Sequence, residues 1–277
     1  MSKVYRPGSP EEVQRSTQQQ LRDNYLVTDL FVPGQVRTVN THFDRVVAVG
    51  AVPTDAPLRL DAIPEIRSEN FLDHREIGIA NLGGTGSVTA DGIRYELAKT
   101  AVLYLGRGTA DVVFESADAG DPACFYGFSA PAHHTHPAGL VTPEEGTIRE
   151  LGDQLTSNRR TLRQCIHENG VTSCQVVMGV TRLHPGSMWN TMPAHTHDRR
   201  TEFYVYFDLD AEQRVVHLMG EPDETRHLMA ADRDLVLSPS WSVHSGVGSS
   251  NYSFVWAMAG ENQSFDDMDA VPIASMR

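Results

Sequence analysis

The chain has 277 residues, 40% of them hydrophobic and 21% charged, so it carries enough apolar side chains for packed cores and is not a disordered polymer. A formal net charge of −13 argues against nucleic acid or an anionic membrane surface as the main partner, and leaves any acidic ligand to be held by a local arginine cluster. Cys124, Cys165 and Cys174 form no Cys-x-x-Cys pair, the N-terminus has no apolar leader core, and no run approaches the ~18 apolar residues of a membrane span. These features read as a soluble, cytoplasmic protein with small buried thiols in a reducing compartment.

Ser9-Pro10-Glu11-Glu12 is a helix start, with Ser9 as N-cap, Pro10 at the first helical position and acids in the first turn. The helix is expected to reach about Asn24 and, with Val13 and Leu21 among its few apolar positions, to pack on the outside of something larger. From Tyr25 onward short β-rich runs are broken by Pro33-Gly34 and Pro53, which predicts a sandwich or barrel and not alternating βα units. Asp91-Gly92 between two alternating runs predicts a tight hairpin. Leu82-Gly83-Gly84-Thr85-Gly86 lacks the helix that a phosphate loop needs after it. Strand-like runs follow at residues 101–106 and 110–114, and again at 175–183, 203–207, 214–219, 234–237 and 252–258.

The densest chemistry lies at residues 193–202. His195 and His197 are two apart, so on a strand they project to one side, and Glu202 follows five residues later. The polar stretch between them suits a tight turn that returns Glu202 beside both rings. About forty residues on, His244 follows the turn Pro239-Ser240-Trp241 at the mouth of another strand. Three imidazoles and one carboxylate make a mixed N/O shell suited to Zn²⁺, Fe²⁺, Mn²⁺ or Ni²⁺. A second His-x-His, within His133-His134-Thr135-His136, is bracketed by prolines and lacks a carboxylate at matching spacing, so it reads as an interface or substrate-facing loop.

The first of these patterns resembles the cupin superfamily, His-x-His-x4-Glu followed by Pro-x-Gly-x2-His, although Trp241 stands where many cupins have glycine. Asp73-His74-Arg75-Glu76 parallels Asp198-Arg199-Arg200-Thr201-Glu202, each opening a strand, a hairpin and a further strand. The expected architecture is therefore all-β: tandem cupin barrels with a few short helices. It comprises an N-terminal helical segment at 1–24, a degenerate barrel at 25–140, and a metal-bearing barrel with an acidic tail at 141–277.

Several longer motifs are similar to 5-keto-4-deoxyuronate isomerases. They are Ser157-Asn158-Arg159-Arg160-Thr161, Trp189-Asn190-Thr191-Met192-Pro193 with the His195-to-Glu202 motif, Glu224-Thr225-Arg226-His227, residues 238–248, and Gly260-Glu261-Asn262-Gln263 with residues 265–269. The resemblance covers nearly the whole chain from residue 25. It implies one Zn²⁺ per subunit on His195, His197, Glu202 and His244, a homohexamer, and ketol isomerisation of unsaturated uronates derived from pectin.

Such a reaction turns a C1 aldehyde and C2 hydroxyl into a C1 hydroxymethyl and C2 ketone. It needs both oxygens polarised and a cis-enediolate stabilised, and four protein ligands on a tetrahedral zinc would leave no room unless the shell expands. Glu261 and Asp267 are candidate bases because they belong to the resembling tail, Glu202 is a third should its metal bond loosen, and a metal-assisted hydride shift is the alternative to a base. Arg159, Arg160, Arg182, Arg200 and Arg226 are candidate partners for the substrate carboxylate. The rival readings are a 5-deoxy-glucuronate isomerase, a cupin iron dioxygenase, a non-catalytic sugar-acid-binding bicupin, and a purely structural zinc.

Overall fold

A computed structural model describes residues 3–277. The N-terminal helical signals give two helices, Pro10–Arg15 and Gln18–Tyr25, where one was expected. Thr17 is the cause: its hydroxyl accepts from the Gln20 amide and Gln20 bonds back, a second capping box that starts a new helix one residue after Ser16 ends the first. Both helices bury their few apolar residues, Val13, Leu21 and Tyr25. They lie along the strand pair Val215–Glu221 and Glu224–Ala230, where Gln18 donates to His227 O and Arg226 donates to Gln14 O.

The rest is β structure in two copies of one plan, each a seven-stranded sheet facing a four-stranded sheet. In the first copy the strands Arg75–Asn81 and Phe125–Pro131 lie at the middle of the large sheet; in the second, Arg200–Phe207 and Ser253–Gly260 do. The Asp91-Gly92 turn has positive φ at both residues, as a two-residue hairpin requires, and joins Gly86–Ala90 to Ile93–Leu97.

Register shows how the two copies differ. Arg75 pairs with Pro131 and Arg200 with Gly260; two residues on, Ile77 pairs with Leu105 and Glu202 with Ser238. Ile77, not Glu76, therefore stands at the Glu202 position of the first copy. Glu76 points to the other face, where its buried carboxylate accepts the amide N–H groups of Cys174, Gln175 and Val176 and the Tyr104 hydroxyl. It ties the first copy to the second. In the same sense, the Thr201 amide of the second copy donates to Asp44 of the first.

Alternation along the strand Val47–Ala51 explains its unbroken apolar run. Val47, Val49 and Ala51 fill the first barrel, while Val46, Ala48 and Val52 belong to a core continuous with the second copy. The sheets approach so closely that a Cβ on Gly78 would stand 2.9 Å from Ile166 Cδ1. Two short strands cross between the copies. Leu26–Val27, which sequence placed with the first barrel, is the edge strand of the second large sheet, and Gly139–Val141 closes the first. Among the described residues no helix is long and apolar enough to cross a membrane.

Candidate metal centre and cavity

Glu202 enters the second barrel early in Arg200–Phe207, anchored by its pairing to Ser238 and Met258. His195 lies on the short strand His195–Thr196, His197 in the turn that follows, and His244 just ahead of Ser245–Gly248. The four side chains meet, with their ligating atoms within 4.8 Å of one another, and His197, Glu202 and His244 are buried. Among the described residues this is the single group of three or more such side chains with that convergence. The His133, His134 and His136 loop forms no such group; its backbone carbonyls at His133 and His134 accept from Arg107 and Cys174.

Hydrogen bonds fix which nitrogens are free. His197 Nδ1–H donates to Arg200 O at 2.9 Å and His244 Nδ1–H to Ser242 O at 3.2 Å, leaving both Nε2 atoms as lone pairs. Those lone pairs face further acceptors. His244 Nε2 is 2.9 Å from His195 Nε2 and 3.0 Å from Glu202 Oε2, and His197 Nε2 is 2.9 Å from Glu202 Oε2. The Nε2 lone pairs of His197 and His244 set against one carboxylate oxygen are what a bound cation resolves. Burial, with His244 beside it, pushes His195 down to about 2, so its ring is neutral and competent to ligate. Glu202, buried among these rings, adds the carboxylate to the set. The donor set fits a divalent metal ion.

The cluster opens into a cavity of about 220 Å³ in the mouth of the second barrel. Leu162, Phe254, Trp256 and Met258 form an apolar wall, Phe265 and Met268 a roof, and Arg160 and Tyr204 add polar groups. Trp256 is held by its indole N–H, which donates to Thr181 Oγ1 at 3.1 Å. The first barrel is filled instead by a cluster of apolar side chains, among them Leu60, Phe71, Val88, Leu97 and Phe114.

The five candidate arginines separate. Arg160 reaches the cavity while one Nη1–H donates to Asn158 O. Arg200 also borders it, but its buried guanidinium donates to the carbonyls of Ser264, Phe265 and Asp267 and so holds backbone. Arg159 and Arg182 are exposed, Arg182 beside a groove on the opposite side of its strand from Thr181. Arg226 pairs with Glu224 against the N-terminal helices. Neither candidate base lines the cavity: Glu261 is exposed, and Asp267 is engaged by Arg199 and Asn262. The residues that motif reasoning passed over are Thr181, Tyr204, Phe254 and Trp256. Tyr204 was within reach, since strand alternation from Glu202 puts it on the same face.

Paired seven- and four-stranded sheets, with a three-histidine, one-carboxylate cluster at the mouth of one barrel, define a bicupin. The sequence profile of the KduI/IolB family matches residues 31–273, and the chain belongs to that family. A 4-deoxy-L-threo-5-hexosulose-uronate ketol-isomerase from Kineococcus radiotolerans is 63% identical over 272 residues, covering 97% of this chain and 98% of its own. One of the same name from Halalkalibacterium halodurans is 50% identical, covering 97% and 98%. Among solved structures, an IolB-like protein from Salmonella typhimurium superposes with a TM-score of 0.71 over 90% of this chain and 97% of its own, at 16% identity. An oxalate decarboxylase from Lactobacillus farciminis superposes with a TM-score of 0.59 over 90% and 88%, at 9% identity. At those identities the likeness is one of fold alone.

Proposed function

We propose that this chain is a ketol-isomerase that converts 4-deoxy-L-threo-5-hexosulose uronate to 3-deoxy-D-glycero-2,5-hexodiulosonate, with Zn²⁺ held by His195, His197, Glu202 and His244. The observation that carries the reading is the convergence of those four side chains at one end of a cavity that also holds Arg160, in a chain 63% identical to a relative of that name. A divalent metal there supplies Lewis-acid polarisation of the carbonyl and the neighbouring hydroxyl.

The chain's own residues do the rest. Arg160 takes the substrate carboxylate, a pairing its planar fork favours. Tyr204, buried next to Glu202 and Thr191, presents a hydroxyl that stays protonated, because burial and then the Glu202 charge raise it well above its ordinary value. The apolar wall and roof exclude water from the reacting carbons. Resemblance to the family also supports a cytoplasmic hexamer acting on pectin-derived uronates.

The test is turnover of purified protein on 4-deoxy-L-threo-5-hexosulose uronate and on 5-deoxy-glucuronate, the closest rival substrate. The proposal expects kcat/KM to favour the former clearly. Preference for the latter would move the chain to the rival isomerase, and metal-replete protein that turns over neither would overturn both readings.

A further inference from the structure

Three of the four metal-binding candidates have obvious anchors. Glu202 sits within the large sheet, and His197 and His244 each have Nδ1 fixed by a backbone carbonyl. His195 has neither. It is the partly exposed member of the group, and among the described residues no protein group takes its Nδ1. What places it is its backbone. His195 pairs with Ala270 and Thr196 with Asp269, and the Val271 amide donates to Ala194 O at 2.9 Å.

The partner segment is a strap, residues 261–271, that leaves the end of Ser253–Gly260 and folds back across the cavity. It supplies the roof residues Phe265 and Met268. Two consecutive arginines of the ligand hairpin hold it down. Arg200 donates to three of its carbonyls, and Arg199 pairs with Asp267 at 2.6 Å and Asp269 at 2.9 Å. Asn262 closes a second bond on Asp267. At the far end Val271 is buried with Ala194 and Val243, the residues immediately before His195 and His244. One segment therefore roofs the cavity and sets the position of the least anchored ligand.

We propose that the 261–271 strap couples closure of the cavity to retention of the metal, with Asp267, acting through Arg199, and Val271 as positioning residues. The inference rests on the metal-centre reading and goes beyond it. Coupling is reciprocal: a strap that tightens metal binding must itself be tightened by the metal by the same factor.

The experiment measures Zn²⁺ affinity by chelator competition in wild type, Asp267→Asn, Val271→Ala and Asp266→Asn, with amide exchange across the strap followed with and without Zn²⁺. Asp266 is the control: it makes the same charge change one residue away, but its contact to Arg149 is 3.4 Å long and its side chain is 70% exposed. The expected result is a roughly tenfold loss of affinity in both strap variants, within the range for residues that orient metal ligands. Asp266→Asn should stay within about twofold, the range expected of an exposed ion pair. Strap amides, Val271 above all, should exchange more slowly once Zn²⁺ is added to wild type. Folded strap variants that bind Zn²⁺ as tightly as wild type, or strap exchange indifferent to Zn²⁺, would overturn the proposal. Wild-type turnover is scored separately. An active enzyme with unchanged variant affinities sinks the strap alone. Weakened variants in a protein inactive on the uronate sink the substrate reading alone.

Discussion

At the scale of single residues, the ligand group was legible because its spacing carries the chemistry: two histidines on one strand direction, a glutamate returned by a turn, and a histidine after a Pro-led turn. The arginines were not, since a guanidinium's role depends on which side of a strand it leaves, and five candidates share no periodic mark. Arg160 and Arg182 show this, one bordering the cavity and the other exposed on an adjacent strand of the same sheet. Arg160→Met is predicted to raise KM about 100-fold with kcat changed much less, the loss of a charge-assisted pair of about 2–3 kcal/mol. Steady-state kinetics on the uronate would check this; an unchanged KM would remove Arg160 from the site. Glu202 is the single carboxylate among the cavity-lining residues, and it belongs to the metal cluster. The substrate's migrating hydrogen is therefore expected to stay with the molecule. Turnover in deuterated water, read by NMR, should place well under one deuteron at C1 of the product per turnover, whereas full wash-in would demand an exchanging base.

At the scale of elements, periodicity and turn chemistry marked the strands and the Asp91-Gly92 hairpin, and local capping decided what periodicity could not, as at Thr17. Close approach between elements has no such mark. Gly179 lies mid-strand in Val177–Leu183, and a Cβ there would stand 2.2 Å from Trp256 Cζ2 and 2.4 Å from Arg163 O. The neighbouring backbone cannot yield easily, so the indole must, and it is pinned to Thr181 and forms the cavity wall. Gly179→Ala is predicted to lower stability by about 1–3 kcal/mol, as overpacked cores do, and to weaken substrate binding. Denaturant melts with kinetics on the folded fraction test both parts; a variant with wild-type stability would show that the wall relaxes. The offset between Glu76 and Ile77 is the same kind of blindness: both open a strand in sequence, and register alone tells which faces the barrel.

At the scale of the molecule, the repeat was visible in sequence, whereas the exchange of edge strands was not, because a two-residue strand such as Leu26–Val27 carries no signature of the sheet it joins. The second barrel keeps polar groups deep inside, and His217 is one: it is fully buried, with Nδ1 bonded to Tyr206 OH at 2.8 Å. Burial, with His244 nearby, pushes it down to about 3. The unfolded chain takes up that proton near pH ~6.5, so the buried neutral ring contributes stability that is full above that pH and is lost as pH falls towards 3. Between pH 6.5 and 5 the loss is about 2 kcal/mol from this group. In metal-stripped protein His217→Gln should therefore shrink the fall in Tm between pH 7.5 and 5, while an identical fall would show that the ring is not held neutral. The proposed function makes turnover depend on a metal held by the four convergent side chains. Its most direct test is isomerase activity before stripping, after verified metal removal, and after return of Zn²⁺, in wild type and in Glu202→Gln. Activity is expected to vanish on removal and to return with Zn²⁺ in wild type alone. Full activity in protein shown to be metal-free would show that turnover does not depend on the metal.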